Sequence, residues 1–265
     1  MNFKYLLGVI LSIPLLPIMY FQGKRIRKEV PSLPEAKGNH GKVILPTSKH
    51  LDILIIGEST MAGVGVATHE EGFSGALARE LASHLNANIA WKVYAKSGYT
   101  AKMVSQRLIP KIKEQHADVI IIGLGGNDAF TLNRPNKWKR HIQELIHILQ
   151  TRYKDSIIVF TNMPPIKEFP AFTPAIKFTI GNLVEILGKE LAALVSEFDN
   201  VYYQEQIVTI DSWKQKMNIN EDVKDFFSDG VHPSKLTYQT WAKDFSNFIV
   251  SHEPIRARLD SLMQE

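Results

Sequence analysis

A serine, a glycine, an asparagine and an aspartate–histidine pair occur along the chain in an order that could support nucleophilic catalysis. Ser59, Gly98 and Asn127 each follow a predicted strand, whereas Asp229 and His232 lie three residues apart, before the last predicted helix. A serine hydroxyl is a weak nucleophile until a neighbouring base takes its proton, and histidine is a common base. His232 could supply that base, and Asp229 could hold its other ring nitrogen in the required tautomer. These residue types indicate acyl transfer through Ser59.

Taken singly, each of these motifs has a structural interpretation. Ser59 could be a helix N-cap, since it is expected between a strand and a helix with its own N–H free. Gly98 could belong to an ordinary turn, and Asn127 to a turn closed by its own side chain. Asp229 and His232 could belong to a loop that leads into a helix cap. The combination is more specific than any one part.

In their order and local motifs these residues resemble the SGNH hydrolase family, which is named after a serine, a glycine, an asparagine and a histidine. Ser59, Gly98, Asn127 and His232 match those four, and the resemblance covers about Leu51 to Val250. The motifs that carry the resemblance are Gly57-Glu58-Ser59, Gly125-Gly126-Asn127-Asp128 and Asp229-x-x-His232. The sequence departs from the family at Glu58-Ser59-Thr60, where the alternative family name, GDSL, has Asp-Ser-Leu.

The resemblance implies a role for each matched residue. Ser59, Asp229 and His232 would form the catalytic set. The backbone N–H groups of Ser59 and Gly98 and the side-chain amide of Asn127 would form the oxyanion hole. The implied reaction is ester hydrolysis through an acyl-serine intermediate, without a metal or an organic cofactor.

Short apolar runs alternate with helical stretches in the part of the chain that carries these residues. Strands are predicted at Leu51–Ile56, Ala90–Tyr94, Val119–Leu124, Ile157–Thr161 and Val201–Tyr203. Leucine and isoleucine stripes at helical spacing separate most of them, and two further helices are predicted at Leu183–Phe198 and Trp241–Val250. Continuous apolar strands are typical of a parallel sheet buried between helices. The expected fold is therefore a three-layer α/β/α sandwich with a mainly parallel, flavodoxin-like sheet, in which ligands bind beyond the carboxyl ends of the strands.

The composition divides the chain into four parts. Residues 1–28 combine an apolar run with five basic residues and no acidic one, which indicates a membrane anchor without an evident cleavage site. Residues 29–50 are rich in proline and glycine and are predicted to be a linker. Residues 51–252 form the predicted hydrolase domain, and 253–265 a C-terminal tail.

The basic residues near the apolar run predict where the enzyme lies. Lys24, Arg25, Arg27 and Lys28 follow the run immediately, and basic flanks tend to stay cytoplasmic. A membrane-associated enzyme facing the cytoplasm is therefore expected, with the segment either spanning the bilayer or lying in its interface. The remaining 26 basic and 27 acidic residues nearly balance, so nucleic acid is not an expected partner.

Other chemistries find little support in the sequence. The chain has no cysteine, and none of its nine histidines forms an H-x-x-x-H or H-E-x-x-H pair, so no metal site is predicted. The glycine-rich stretches lack the rest of a P-loop or a dinucleotide fingerprint. The expected substrate is a small-molecule or lipid-like ester; the alternatives are a carbohydrate O-deacetylase, a thioesterase and a catalytically inert binding module. Phe169 and Phe172 could line an apolar substrate wall or simply pack within their loop.

Overall fold

One six-stranded sheet forms the centre of the molecule. The computed structural model describes residues 3–207 and 209–264. The strands are β1 (His40–Val43), β2 (His50–Gly57), β3 (Asn88–Ala95), β4 (Val119–Gly123), β5 (Ile157–Phe160) and β6 (Val201–Tyr203). The order in the sheet is β1-β3-β2-β4-β5-β6, with β1 antiparallel at one edge and the others parallel. The parallel strands alone have the order of a flavodoxin-like sheet.

Helices cover both faces of this sheet. They are α1 (Phe3–Ser12), α2 (Leu16–Glu29), α3 (Phe73–Leu85), α4 (Ala101–Met103), α5 (Gly126–Phe130), α6 (Pro135–Arg152), α7 (Pro174–Ile176), α8 (Asn182–Val195), α9 (Ile210–Met217), α10 (Lys235–Ser251) and α11 (Glu253–Leu262). Side chains alternate between the two faces along each strand. Ile53 and Ile55 of β2 join one core cluster with α3 and α10, and Leu54 and Ile56 join the other with α6 and α8. The predicted three-layer fold is confirmed.

Two segments outside the predicted hydrolase domain contain regular elements. The linker prediction for residues 29–50 is wrong at β1, which pairs with β3 through His40↔Lys92. The glycine that suggested a linker, Gly41, allows close strand contact, because a Cβ there would lie 2.5 Å from the ring of Trp91. The predicted C-terminal tail contains α11, whose Ile255 and Leu259, one helical turn apart, are buried.

A short 3₁₀ segment, Ile13–Leu15, joins the N-terminal helices α1 and α2. One face of these helices packs against the domain. The segment Tyr5–Ile26 is long and apolar enough to cross a membrane, with a mean hydropathy of 1.8. Its less exposed positions are Tyr5, Gly8, Ser12, Leu15, Met19, Gln22, Gly23 and Ile26, and most of them recur every three or four residues. The hydroxyl of Thr173 donates to Gln22 Oε1 at 2.6 Å, which ties the helix to the segment before α7.

Most large apolar side chains of this helix are exposed, although Val9, Ile13 and Leu16 also line a cavity against the domain. Large exposed side chains are Leu6, Leu7, Val9, Ile10, Leu11, Ile13, Leu16, Ile18, Tyr20 and Phe21. By contrast, the side facing the domain includes glycine, serine and glutamine. Only 6% of the apolar window is buried.

Candidate active site

The predicted site residues lie at the carboxyl edge of the sheet, where the strand order reverses. The ends of β2 and β4 are neighbours, with Gly57 paired to Gly123. Ser59 follows β2, and Asn127 follows β4. In open α/β sheets the crevice at such a reversal is where ligands bind.

The sequence suggested that Ser59 could lie at the start of a helix. In the structure it lies in an isolated helical turn instead. The Ala62 N–H donates to the Glu58 carbonyl at 2.8 Å, but α3 begins only at Phe73. Gly63 and Gly65 end the turn, because their φ angles of +68° and +109° leave the helical region. Within the described residues, neither the N–H nor the hydroxyl of Ser59 forms a hydrogen bond. Both groups are therefore available to a substrate.

Asp229 and His232 form a hydrogen-bonded pair in the loop before α10. His232 Nδ1 lies 2.7 Å from Asp229 Oδ2. The other carboxylate oxygen accepts the N–H groups of Val231 at 2.9 Å and His232 at 2.7 Å. The Asp229 side chain is completely buried and the His232 side chain is 24% exposed. The aspartate is thus fixed in place, while the ring remains accessible from the crevice.

Contacts between the two loops bring the Ser59 turn next to the His232 loop. The Ser228 hydroxyl donates to the Gly65 carbonyl at 3.0 Å, and the Tyr238 hydroxyl donates to the Val64 carbonyl at 2.8 Å. The structure does not join Ser59 Oγ to the His232 ring by a hydrogen bond. Such catalytic bonds often shorten only when substrate is bound.

Gly98 occupies a turn after β3 with a φ of +81°. A Cβ at this position would meet no atom within 4 Å, so the glycine is needed for its backbone angle and faces open space. Glu35, in the segment predicted to be a linker, holds this turn: it accepts the Ser97 N–H at 2.8 Å and the Lys96 ammonium at 3.0 Å. The role of Glu35 was missed because nothing near it in the sequence links it to Gly98.

The Asn127 side chain is oriented by the same turn. Its amide Nδ2 donates to the Tyr99 carbonyl at 3.1 Å, and an amide group can donate a second hydrogen bond. The N–H groups of Ser59 and Gly98 form no hydrogen bond in the described part of the chain. Three donors are thus available at this end of the sheet, the number that the family resemblance assigns to the oxyanion hole.

Two buried carboxylates, Glu58 and Asp128, accept hydrogen bonds from the backbone and side chains around Asn127. Glu58 accepts the N–H groups of Gly126 at 2.8 Å and Asn127 at 2.9 Å. Asp128 accepts the Ala101 N–H and the Asn133 amide, each at 2.8 Å. Burial raises the pKa of Asp128, and it raises the pKa of Glu58 to about 7 against the opposing effect of the two N–H donors.

We expect Glu58→Gln to change how stability depends on pH. Because the pKa of Glu58 rises from 4.5 to about 7 on folding, the folded chain keeps a proton that the unfolded chain releases. This stabilising contribution is full below pH 4.5 and is lost as pH rises through about 7, a change of about 3 kcal/mol. Urea unfolding at several pH values should therefore show a shallower decline for Glu58→Gln than for the wild type.

The exposed Glu221→Gln is the matched control for that measurement and should follow the wild-type curve. Parallel pH dependence in the wild-type and Glu58→Gln proteins would contradict the raised pKa of this buried carboxyl group.

A small apolar cavity lies beside the candidate site. It has a volume of about 60 Å³ and its lining includes Thr60, Phe169, Phe227 and Val231. The Phe169 ring packs against Phe227 and Phe172 with centroids 5.3 and 5.4 Å apart. Phe169 therefore both packs within its loop and lines the cavity, whereas Phe172 does not line it.

Comparisons with known proteins point to one family. The model of the GDSL-like Lipase/Acylhydrolase family matches residues 55–240. Similar solved structures include a family two carbohydrate esterase from Clostridium thermocellum, at 17% identity and a TM-score of 0.53 over 79% of this chain and 66% of that one. A lipolytic protein of the G-D-S-L family from Veillonella parvula is 16% identical, with a TM-score of 0.53 over 74% and 96%.

The lipase Lip_vut3 from a goat rumen metagenome is 22% identical, with a TM-score of 0.50 over 78% of this chain and 97% of that one. A search of curated protein sequences finds no match. At these identities the solved structures establish the shared fold, while the family model covers more than half of the sequence and includes Ser59, Gly98, Asn127, Asp229 and His232. The chain belongs to the GDSL-like lipase/acylhydrolase family, whose members hydrolyse esters.

Proposed function

We propose that this protein is a serine ester hydrolase in which Ser59 carries the acyl group. The observation that carries the proposal is the 2.7 Å contact between a buried Asp229 and an accessible His232, beside a turn that leaves Ser59 unpaired. A buried carboxylate that holds one ring nitrogen leaves the other free to act as a base.

The proposed reaction has two halves. His232 Nε2 takes the Ser59 hydroxyl proton as the oxygen attacks the ester carbonyl, and Asp229 stabilises the imidazolium that forms. The N–H groups of Ser59 and Gly98 and the amide of Asn127 stabilise the oxyanion. His232 returns the proton to the leaving alcohol as the acyl bond to it breaks. His232 then takes a proton from a water that attacks the acyl group, and returns it to Ser59 Oγ as the acid is released.

We infer two candidate substrate classes. The outward apolar face of the N-terminal helix favours lipid-like esters, such as lysophospholipids, because it would hold the enzyme next to their source. The cavity of about 60 Å³ instead favours a short acyl group, as in an O-acetylated carbohydrate. Both classes use the same Ser59 chemistry.

Acyl chain length separates these two candidates. We expect hydrolysis of p-nitrophenyl esters by the wild type and not by Ser59→Ala. A kcat/KM that rises from acetyl to longer chains, together with lysophospholipid turnover, would support lipid-like substrates. Activity confined to acetyl esters, with release of acetate from an acetylated sugar, would support deacetylation and contradict the lipid assignment. Hydrolysis that persists in Ser59→Ala would contradict the proposed function itself.

We propose further that the N-terminal helix holds the enzyme at a membrane surface. Contacts with the domain recur along the helix from Tyr5 to Ile26, so a spanning helix would take polar side chains of α8, such as Glu185 and Lys189, into the bilayer. That burial is costly. A helix lying in the interface avoids this cost, since its apolar face points outward and the domain lies on its other side. Lys24 and Lys28 then favour anionic headgroups and a cytoplasmic location.

Vesicle binding tests the membrane proposal. Ile10→Ser with Phe21→Ser removes two outward side chains that are 56% and 70% exposed. We expect the double variant to bind vesicles of phosphatidylcholine and phosphatidylserine at least about tenfold more weakly, because each buried apolar side chain contributes about 1.5 kcal/mol or more. Ile44→Ser, at a residue 68% exposed on the domain itself, is the matched control and should bind like wild type.

Equal binding by the double variant and the wild type would contradict the membrane proposal. Intact mass of the membrane-bound protein provides a second check, because an anchor retains residues 1–28 and a signal sequence loses them.

A further inference from the structure

Two His-x-Asp motifs stand side by side at the amino end of the sheet, far from Ser59. They are His50-Leu51-Asp52 at the start of β2 and His116-Ala117-Asp118 directly before β4. The pairing of Ile53 with Val119 sets Asp52 beside Asp118 on adjacent parallel strands. The Asp118 N–H donates to the Asp52 carbonyl at 2.9 Å, and the Asp52 N–H donates to Asp118 Oδ2 at 2.6 Å.

The side chains of these motifs converge. His116 Nε2 lies 3.0 Å from Asp118 Oδ1, and His50 Nε2 lies 3.0 Å from Asp52 Oδ1. One nitrogen or oxygen atom from each of Asp52, His116 and Asp118 lies within 4.8 Å of the others. Two ligands of a tetrahedral zinc ion, each about 2.0–2.2 Å from the metal, are about 3.3–3.5 Å apart. The side chain of His116 is 67% exposed, so its ring has room to turn towards a bound ion.

The charges at this edge also suit a cation. Among the described residues, the ion-pair partners of the two carboxylates are His50 and His116, and no lysine or arginine pairs with either. Asp118 is mostly buried, and two neighbouring carboxylates repel one another unless a positive charge lies between them. An open depression of about 830 Å³, lined by Asp52 and His116, gives an ion access.

We propose that Asp52, His116 and Asp118 bind one divalent transition-metal ion, with Zn²⁺ as the best match, and that water completes its coordination. Imidazole and carboxylate ligands suit Zn²⁺, and three protein ligands with one water form a familiar tetrahedral set. His50 stays hydrogen-bonded to Asp52 and orients that ligand. The ion would fasten the amino ends of β2 and β4 together. No recognised metal-ligand spacing in the sequence indicates this site, because the register of β2 and β4 is what brings its three residues together.

Zinc binding to the full-length chain tests the proposal. After chelator treatment and its removal, we expect the wild type to take up one Zn²⁺ per chain, measured by competition with a fluorescent chelator, and to melt at a higher temperature when loaded. His116→Ala and Asp52→Asn should each lower the zinc affinity at least tenfold. His84→Ala is the matched control, since His84 is also a partly exposed histidine beside a carboxylate, 4.0 Å from Glu80.

Substitutions at His116 and Asp52 are suitable because neither side chain is fully buried, and circular dichroism checks that both variants fold. The absence of stoichiometric uptake would overturn the proposal, as would equal zinc affinity in the His116→Ala and His84→Ala proteins. The eight residues of β2 place this edge about 20 Å or more from the Ser59 turn. Chelator should therefore lower the melting temperature and leave ester hydrolysis unchanged. A negative result for zinc binding would not contradict the proposed esterase function, and a negative result for ester hydrolysis would not contradict the metal site.

Discussion

Ser59→Ala should lower kcat/KM for p-nitrophenyl acetate by about 10⁴–10⁶-fold and leave the fold intact. The loss is large because no other group in the crevice replaces the attacking oxygen. The fold should survive because the Ser59 hydroxyl forms no hydrogen bond within the described residues. Steady-state kinetics and a thermal melt on the same preparation measure both quantities.

His232→Ala should cause a loss of similar size. The double variant should be little worse than either single variant, because nucleophile and base act as one unit. Ser97→Ala is the matched control: this serine lies one residue before Gly98 and contributes its backbone N–H to Glu35, so its hydroxyl can be removed without loss of rate. Additive losses for Ser59→Ala and His232→Ala would contradict a shared role.

Asn127→Ala should lower kcat by about 10²–10³-fold, with a smaller change in KM. The amide donates one hydrogen to the Tyr99 carbonyl at 3.1 Å, and we expect it to donate the other to the oxyanion as that charge develops. Since that charge exists only in the transition state, its stabilisation affects kcat more than ground-state binding. Kinetics over a full range of substrate concentrations separates the two constants.

Asn133→Ala provides the structural comparison for this prediction. Asn133 bonds to the buried Asp128 at 2.8 Å and lies outside the proposed oxyanion hole. Its loss should lower the melting temperature while turnover by the folded protein stays near normal. The opposite pattern, in which Asn127→Ala destabilises the protein but keeps its kcat, would show that Asn127 only stabilises its turn and does not stabilise the oxyanion.

The sequence predicts the parallel strands well because their side chains are buried on both faces. Val119–Gly123 is continuously apolar, so the pattern indicates both a strand and the layers around it. Strand β1 was missed because its pairing depends on a contact across the sheet, between Gly41 and Trp91, that no local pattern reveals. The helix expected after Ser59 was wrong because Gly63 and Gly65 end the turn early.

For the candidate site, the sequence identifies side chains better than it identifies their supports. Asp229 and His232 are three residues apart, so their contact follows from one local motif. Glu58 holds Asn127 across 69 positions, and Glu35 holds Ser97 across 62. Such contacts depend on the fold that brings distant segments together. The two His-x-Asp motifs are another example, because only the register of β2 and β4 places them side by side.

Covalent labelling is the most direct test of Ser59 as the nucleophile. A fluorophosphonate reacts with a serine that a neighbouring base has activated. Incubation of the wild-type protein with such a probe, followed by peptide mass mapping, should give one adduct per chain, on Ser59. The adduct should be absent from Ser59→Ala and strongly reduced in His232→Ala. A wild-type protein that hydrolyses esters but carries no adduct on Ser59, or carries it on another serine, would contradict the account.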